Sequence, residues 1–329
     1  MAFRENSIND FFNSKTFTAL MAIAVIASAC INDPIWESRH TILGNHGILF
    51  PSLAGSITNA TASIVANVAC TLIIGILMVI LNKTFNFIRS VTWIFSSVFL
   101  LLMAGNPISS GLLYSGTTMA LCVAIITFIL FASFQNRRAQ RGVFTTFALV
   151  TLMTMFQYTY MYLFIALILG YMLMQIMNLR SILAIIIGII TPFWIVLGCQ
   201  FADFSDFSLP SYQSLWAVMQ RPQMHLSFIS IIALSVFTIV LTCANLFQII
   251  NYKLQVRAYN GFFVYLTALT IAMLALDYRN SFIYLPVLYL CFSIQFAHFF
   301  TINNHTRRYI APIVLIVAVI AVRLTHYFL

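Results

Sequence analysis

ITNATASIVANVACTLIIGILMVILN, residues 57–82, carries no charged side chain from end to end. As a helix rising 1.5 Å per residue, the stretch reaches about 39 Å, against about 30 Å for a bilayer hydrocarbon core. A strand or a soluble core helix has no need of such a run, so it reads as a membrane span. The pattern recurs along the chain. Apolar runs stand at 16–31, 57–82, 91–105, 111–134, 143–156, 158–177, 182–200, 226–250, 261–276, 281–300 and 309–327, with polar breaks between them. The expectation is an all-α polytopic membrane protein of about eleven transmembrane helices. It forms a single domain over 1–329, with a cytoplasmic N-terminal segment over 1–15. The 91–105 and 143–156 runs are short for a full crossing and imply extension into their loops or a locally thin membrane.

Composition points the same way. The chain is 62% hydrophobic and only 7% charged, where soluble domains hold about 25% charged residues. Its mean hydropathy is +0.98. One water-soluble core cannot hide that much apolar surface. The net charge of +9 does not indicate nucleic acid, because the basic residues stand in small clusters between apolar runs, as topology signals do. The six cysteines are scattered singly, with no CxxC and no metal spacing. Neither a zinc site, a disulfide framework nor a cofactor is expected. Cys30 and Cys199, both near outer helix ends, are the one pair that could bridge. The N-terminus MAFRENSINDFFNSK holds Glu5 and Asp10 and no suitable cleavage site, so the first apolar run reads as a retained helix.

Orientation follows from the basic residues. With the N-terminus in the cytoplasm, inner segments hold Arg4, Lys15, Lys83, Arg89, Arg137, Arg138, Arg141, Arg180, Lys253, Arg257, Arg307 and Arg308. Outer positions hold Arg39, Arg221, Arg279 and Arg323. Twelve against four is the asymmetry of the positive-inside rule, and it puts the C-terminus outside. The acids run the other way. Asp33, Glu37, Asp203, Asp206 and Asp277 fall outside, and only Glu5 and Asp10 inside. Insertion does not require this, because acids contribute little to topology.

Three outer loops therefore become the candidate site. INDPIWESRHTILGNHG carries Asp33, Glu37, Arg39, His40 and His46. QFADFSDFSLPSYQSLWAVMQRPQMH carries Asp203, Asp206, Arg221 and His225. The tight LDYRNS turn carries Asp277 and Arg279. Carboxylates, arginines and histidines move protons and clamp anionic groups. The plainer alternative is that they are solvated loop charges, with Asp203 and Asp206 as helix caps and Asp277–Arg279 as a local ion pair. Apolar and aromatic residues over 204–220 suggest a helix lying in the outer interface, within the 201–225 loop. The outer turns GNPISSG and FQYTY carry no charge.

Inside the membrane polarity is sparse. Asn245 and Gln248 sit a turn apart and read as interhelical hydrogen-bond partners. Gln295 and His298 approach an inner helix end. Arg323 and His326 can snorkel outward from the last helix. No nucleotide loop, zinc-protease motif or Ser/His pair is present.

LNKTFNFIRSVTWIFSSVFLLL (81–102), FASFQNRRAQRGVF (131–144) and NLRSILAIIIGIITPFWIVLG (178–198) together resemble an uncharacterised bacterial family of polytopic inner-membrane proteins. The resemblance covers roughly 80–200 and implies a bacterial inner membrane, with no activity attached. The architecture is also similar to GT-C-type polyprenyl-phosphate-dependent glycosyltransferases, which place an acidic catalytic residue in the first outer loop; Asp33 and Glu37 stand there. That likeness implies an envelope enzyme moving a glycosyl group from or to a lipid-linked substrate at the outer leaflet. Asp33 would be the base or electrostatic partner and Glu37 its second carboxylate. Arg39, Arg221 and Arg279 would hold the phosphate, with His40, Asp203, Asp206 and Asp277 at the substrate. The implied partners are membrane lipid and a polyprenyl-phosphate-linked substrate, without metal. Two other readings stay open: a transporter or lipid flippase, and a non-catalytic scaffold of an envelope complex.

Overall fold

The computed structural model describes residues 8–31, 47–49, 57, 59–88, 92–136, 138–202, 212, 225–302 and 308–328, the side chains of 225–228, 302 and 325–328 excepted. The architecture is all-α. The long helices are α1 (Lys15–Ile31), α2 (Ala60–Phe85), α3 (Ile94–Gly105), α4 (Ser115–Ala132), α5 (Gln140–Phe156), α6 (Tyr162–Leu173), α7 (Leu179–Gly198), α8 (His225–Ile249), α9 (Leu254–Leu276), α10 (Ser281–Ile302) and α11 (Ile310–Phe328). Among the described residues, six stretches are long and apolar enough to cross a membrane: α2, α4, α7, α9, the 229–249 part of α8, and 278–301 around α10.

Local chemistry sets several boundaries. Asn59 caps α2 by accepting from the Thr61 amide at 3.0 Å, and Asn178 caps α7 by accepting from the Ser181 amide at 2.8 Å. Each satisfies a donor that the first helical turn cannot. Asn86 ends α2 with φ at 46°, in the left-handed region that asparagine tolerates.

α10 is the central post. It packs against α3, α4, α8 and α9, while α1 lies along α3 and α5 pairs with α7 at the side. Large side chains point outward around the periphery. Val65, Ile76, Trp194, Phe247, Val314 and Val317 are all exposed, as a surface solvated by hydrocarbon requires. This is a multi-pass helical membrane protein.

Contacts sort every helix end into one of two groups. Asn13 meets Trp93, Asn260 meets Phe87, and Asn245 meets Gln295 at one end. Asn67 meets Ser109, Tyr160 meets Thr118, and Asn106 meets Tyr289 at the other. The second end is the one the charge pattern assigns to the outside.

The short 91–105 run finds its explanation here. All twelve residues of α3 are buried. A helix walled in by others need not reach across lipid. Its continuation, GNPISSG, is not a solvated turn: residues 107–111 are buried. Irregular backbone at membrane depth must find its hydrogen bonds within the protein. Asn67 donates to the Ser109 and Gly111 carbonyls at 2.8 and 2.9 Å and accepts from Thr117 at 2.7 Å. Ser63 accepts from the Leu113 amide at 2.9 Å. Asn67→Leu is expected to lower stability by about 2–4 kcal/mol, because two buried carbonyls lose their donor. Thermal unfolding in detergent reads this, with Ser63→Ala costing less. An unchanged midpoint for Asn67→Leu would mean that the segment is held by something else.

The intramembrane asparagine takes the structural role expected. Asn245 is buried and donates to both the backbone and the side-chain oxygen of Gln295, at 2.8 and 2.9 Å. Gln248 is exposed and takes no part in that contact. Arg323 departs from expectation. It does not snorkel outward but turns into the bundle and donates to the Ala104 and Ser28 carbonyls. All six cysteines are free, Cys30 and Cys199 included, so the bridge considered above is absent.

Candidate functional site

Of the sequence-predicted site residues, Asp33, Glu37, Arg39, His40, Asp203, Asp206 and Arg221 lie outside the described residues, as does most of the 204–220 segment. Asp277 and Arg279 are described, and they differ in burial. Asp277 is completely buried, whereas Arg279 is exposed. The turn between α9 and α10 explains the difference. The Asp277 amide closes α9 on the Met273 carbonyl at 2.8 Å, and the Asn280 amide returns to the Asp277 carbonyl at 3.2 Å. This tight turn folds the carboxyl inward. Asn280 Nδ2 and the Tyr284 hydroxyl donate to the same oxygen, Oδ2, at 2.8 and 3.0 Å. Tyr284 in turn meets the Tyr162 ring edge-on, 5.6 Å between centroids.

Described residues at the edges of the three charged loops meet the bundle at one end. Residues 47–49, where the first loop returns to the bundle, lie against α5: the Gly47 amide donates to Phe156 and the Leu49 amide to Met155. Only glycine fits there, since a Cβ on Gly47 would stand 2.0 Å from the Met155 carbonyl oxygen. Ile48 packs in one cluster with Met155, Val196 and Ala202. Ala202 is the last described residue before the charged part of the second loop. That loop surfaces again at Tyr212, which sits within electrostatic reach of Asp277. Partial burial raises the Tyr212 hydroxyl above its usual range, and the Asp277 carboxyl raises it further. Ile48 and Ala202 thus share one apolar cluster, and Tyr212 lies within electrostatic reach of Asp277.

At the same end of the bundle lies an uncharged polar layer. The uncharged FQYTY turn is buried from Gln157 through Tyr160. Tyr160 donates to the Ser115 carbonyl at 3.0 Å and pairs with Thr118 at 2.8 Å. Tyr158 Oη, Thr159 Oγ1 and Asn280 Oδ1 are buried without a hydrogen-bond partner among the described residues. Buried polar atoms left open at one end of a bundle are places where a bound polar group gains most. A signal was present in the sequence: turns rich in Asn, Ser, Thr and Tyr yet devoid of charge, between apolar runs, are turns the protein intends to cover.

No protein-family model matches the chain, and no curated protein or solved structure is significantly similar to it.

Proposed function

We propose that the chain is an eleven-span protein of a bacterial inner membrane, N-terminus inside and C-terminus outside, that transfers a glycosyl group from or to a lipid-linked substrate at the outer leaflet. The observation that carries this reading is the buried Asp277 carboxyl at the outer end, approached by Tyr212 from a second loop. A carboxyl and several phenols at the edge of a low-dielectric bundle suit acid–base work on sugar hydroxyls better than ion conduction, which would need polarity continued through the helices. Asp277, held by Asn280 and Tyr284, is best suited to positioning. Asp33 and Glu37 of the first loop take the roles of base and partner. Arg39, Arg221 and Arg279 neutralise the phosphate, His40, Asp203 and Asp206 complete the rim, and the 201–225 loop covers the site with an interfacial helix.

Complementation of a deletion strain tests this. Asp33→Asn and Glu37→Gln should be present at normal protein level, fail to complement, and leave a lipid-linked precursor accumulating. Full activity of both variants, with an unchanged lipid-linked glycan profile, would discard glycosyl transfer.

A further inference from the structure

Helices α8 and α11 both pack toward the centre, α8 on α9 and α10 and α11 on α3, but they form no extended contact with each other. Between them lies a cavity of about 510 Å³, walled by Leu234, Phe237, Leu285 and Ala318, with Asn106 and Tyr289 also in its lining. That volume is in the range of ligand pockets. No charged side chain is among its lining residues.

The polar pair is chemically directional. Asn106 Oδ1 accepts from the Ile108 amide at 3.0 Å, which fixes the amide orientation. Its Nδ2 therefore donates to the Tyr289 oxygen, at 3.2 Å. Tyr289 has had its oxygen used as acceptor, and its own O–H finds no acceptor among the described residues. A phenol in an apolar cleft, with a proton to give, selects a ligand that is hydrocarbon along most of its length and carries one oxygen acceptor. A neutral acceptor suits it, because no lining side chain is charged and the neighbouring Arg323 is given to the Ala104 and Ser28 carbonyls.

We infer that this cleft holds one acyl chain of an ester-linked phospholipid, taken laterally from the bilayer between α8 and α11, with the ester carbonyl accepting from Tyr289. The inference is independent of the chemistry assigned to the Asp277 end. It distinguishes an acyl ester from a polyprenyl phosphate, whose oxygens all belong to an anionic phosphate group.

Full-length protein in nanodiscs, photolabelled with phosphatidylglycerol bearing a diazirine in one acyl chain, tests it. Labelled peptides should come from α8, α10 and α11 around the cleft. Ala318→Trp should abolish that labelling, with folding checked by a monodisperse elution profile. Tyr289→Phe, which removes only the hydroxyl and keeps the ring, should reduce labelling about fivefold for the ester lipid and leave the ether-linked analogue unchanged. Labelling of the periphery at Trp194 and Phe247 as strong as in the cleft would overturn the inference. So would equal loss of ester and ether probes in Tyr289→Phe, or displacement by polyprenyl phosphate in preference to unlabelled ester lipid.

Discussion

Asp277→Ala is expected to destabilise the protein by about 2–4 kcal/mol, whereas Asp277→Asn should cost about 1 kcal/mol. The difference follows from what converges on the carboxyl. Asn280 Nδ2 and the Tyr284 hydroxyl both donate to Oδ2, and Asp277 and both donors are almost wholly shielded from solvent. Alanine leaves two buried donors with nothing to meet and opens a small void between α9 and α10. Asparagine can set its carbonyl oxygen where Oδ2 stood and keep both bonds in a weaker, neutral form. Thermal unfolding in detergent reads the two variants side by side. The pair also separates architecture from chemistry. If Asp277 serves a reaction, Asp277→Asn should be present at near-normal level and fail to complement. If Asp277 only ties the turn, Asp277→Asn should complement fully. An alanine variant as stable as the parent would show that the carboxyl does not organise this end of the bundle.

Hydropathy made much of this molecule legible in advance, because it acts through averages over long stretches. Eleven apolar runs coincide with eleven long helices among the described residues, six of them carrying stretches long and apolar enough to cross a membrane. Charge was a poorer guide to what is buried. Asp277 and Arg279 are two residues apart and look like a surface pair, yet one is enclosed and the other exposed. The turn geometry that separates them is a matter of single dihedral angles, which composition does not report. GNPISSG and FQYTY carry no charge, and lack of charge is what lets a polar turn be buried. His298 shows the same limit. Sequence puts it near an inner helix end. Only the fold shows its Nε2 held 2.6 Å from Asn260 Oδ1, with Asn260 Nδ2 donating to the Phe87 and Val256 carbonyls.

Arg323→Met should be the most damaging single change in the last helix, lowering stability by about 3 kcal/mol or more. Its guanidinium reaches the Ala104 carbonyl in the last turn of α3 and the Ser28 carbonyl, 3.3 Å away, in the last turn of α1. Carbonyls in a final helical turn lack the amide four residues on that would satisfy them. For Ala104 that amide belongs to Ile108, and it is already given to Asn106 Oδ1. Two helices running the same way also bring their negative dipole ends together, which a cation offsets. Methionine preserves the apolar stem but takes the guanidinium donors from both carbonyls, and the amide that would otherwise serve Ala104 is already committed to Asn106. Lysine restores the charge without the fork, so Arg323→Lys should recover only part of the loss. Gly105 sharpens the geometry: a Cβ there would stand 2.1 Å from Val319 on α11, so α3 and α11 are already at their closest approach, and the arginine cannot be replaced by moving the helices together. The measurement is the unfolding midpoint of the three proteins in one detergent. If Arg323→Met melts with the parent, the two helix ends find other donors, and the guanidinium is incidental to how α1, α3 and α11 are joined.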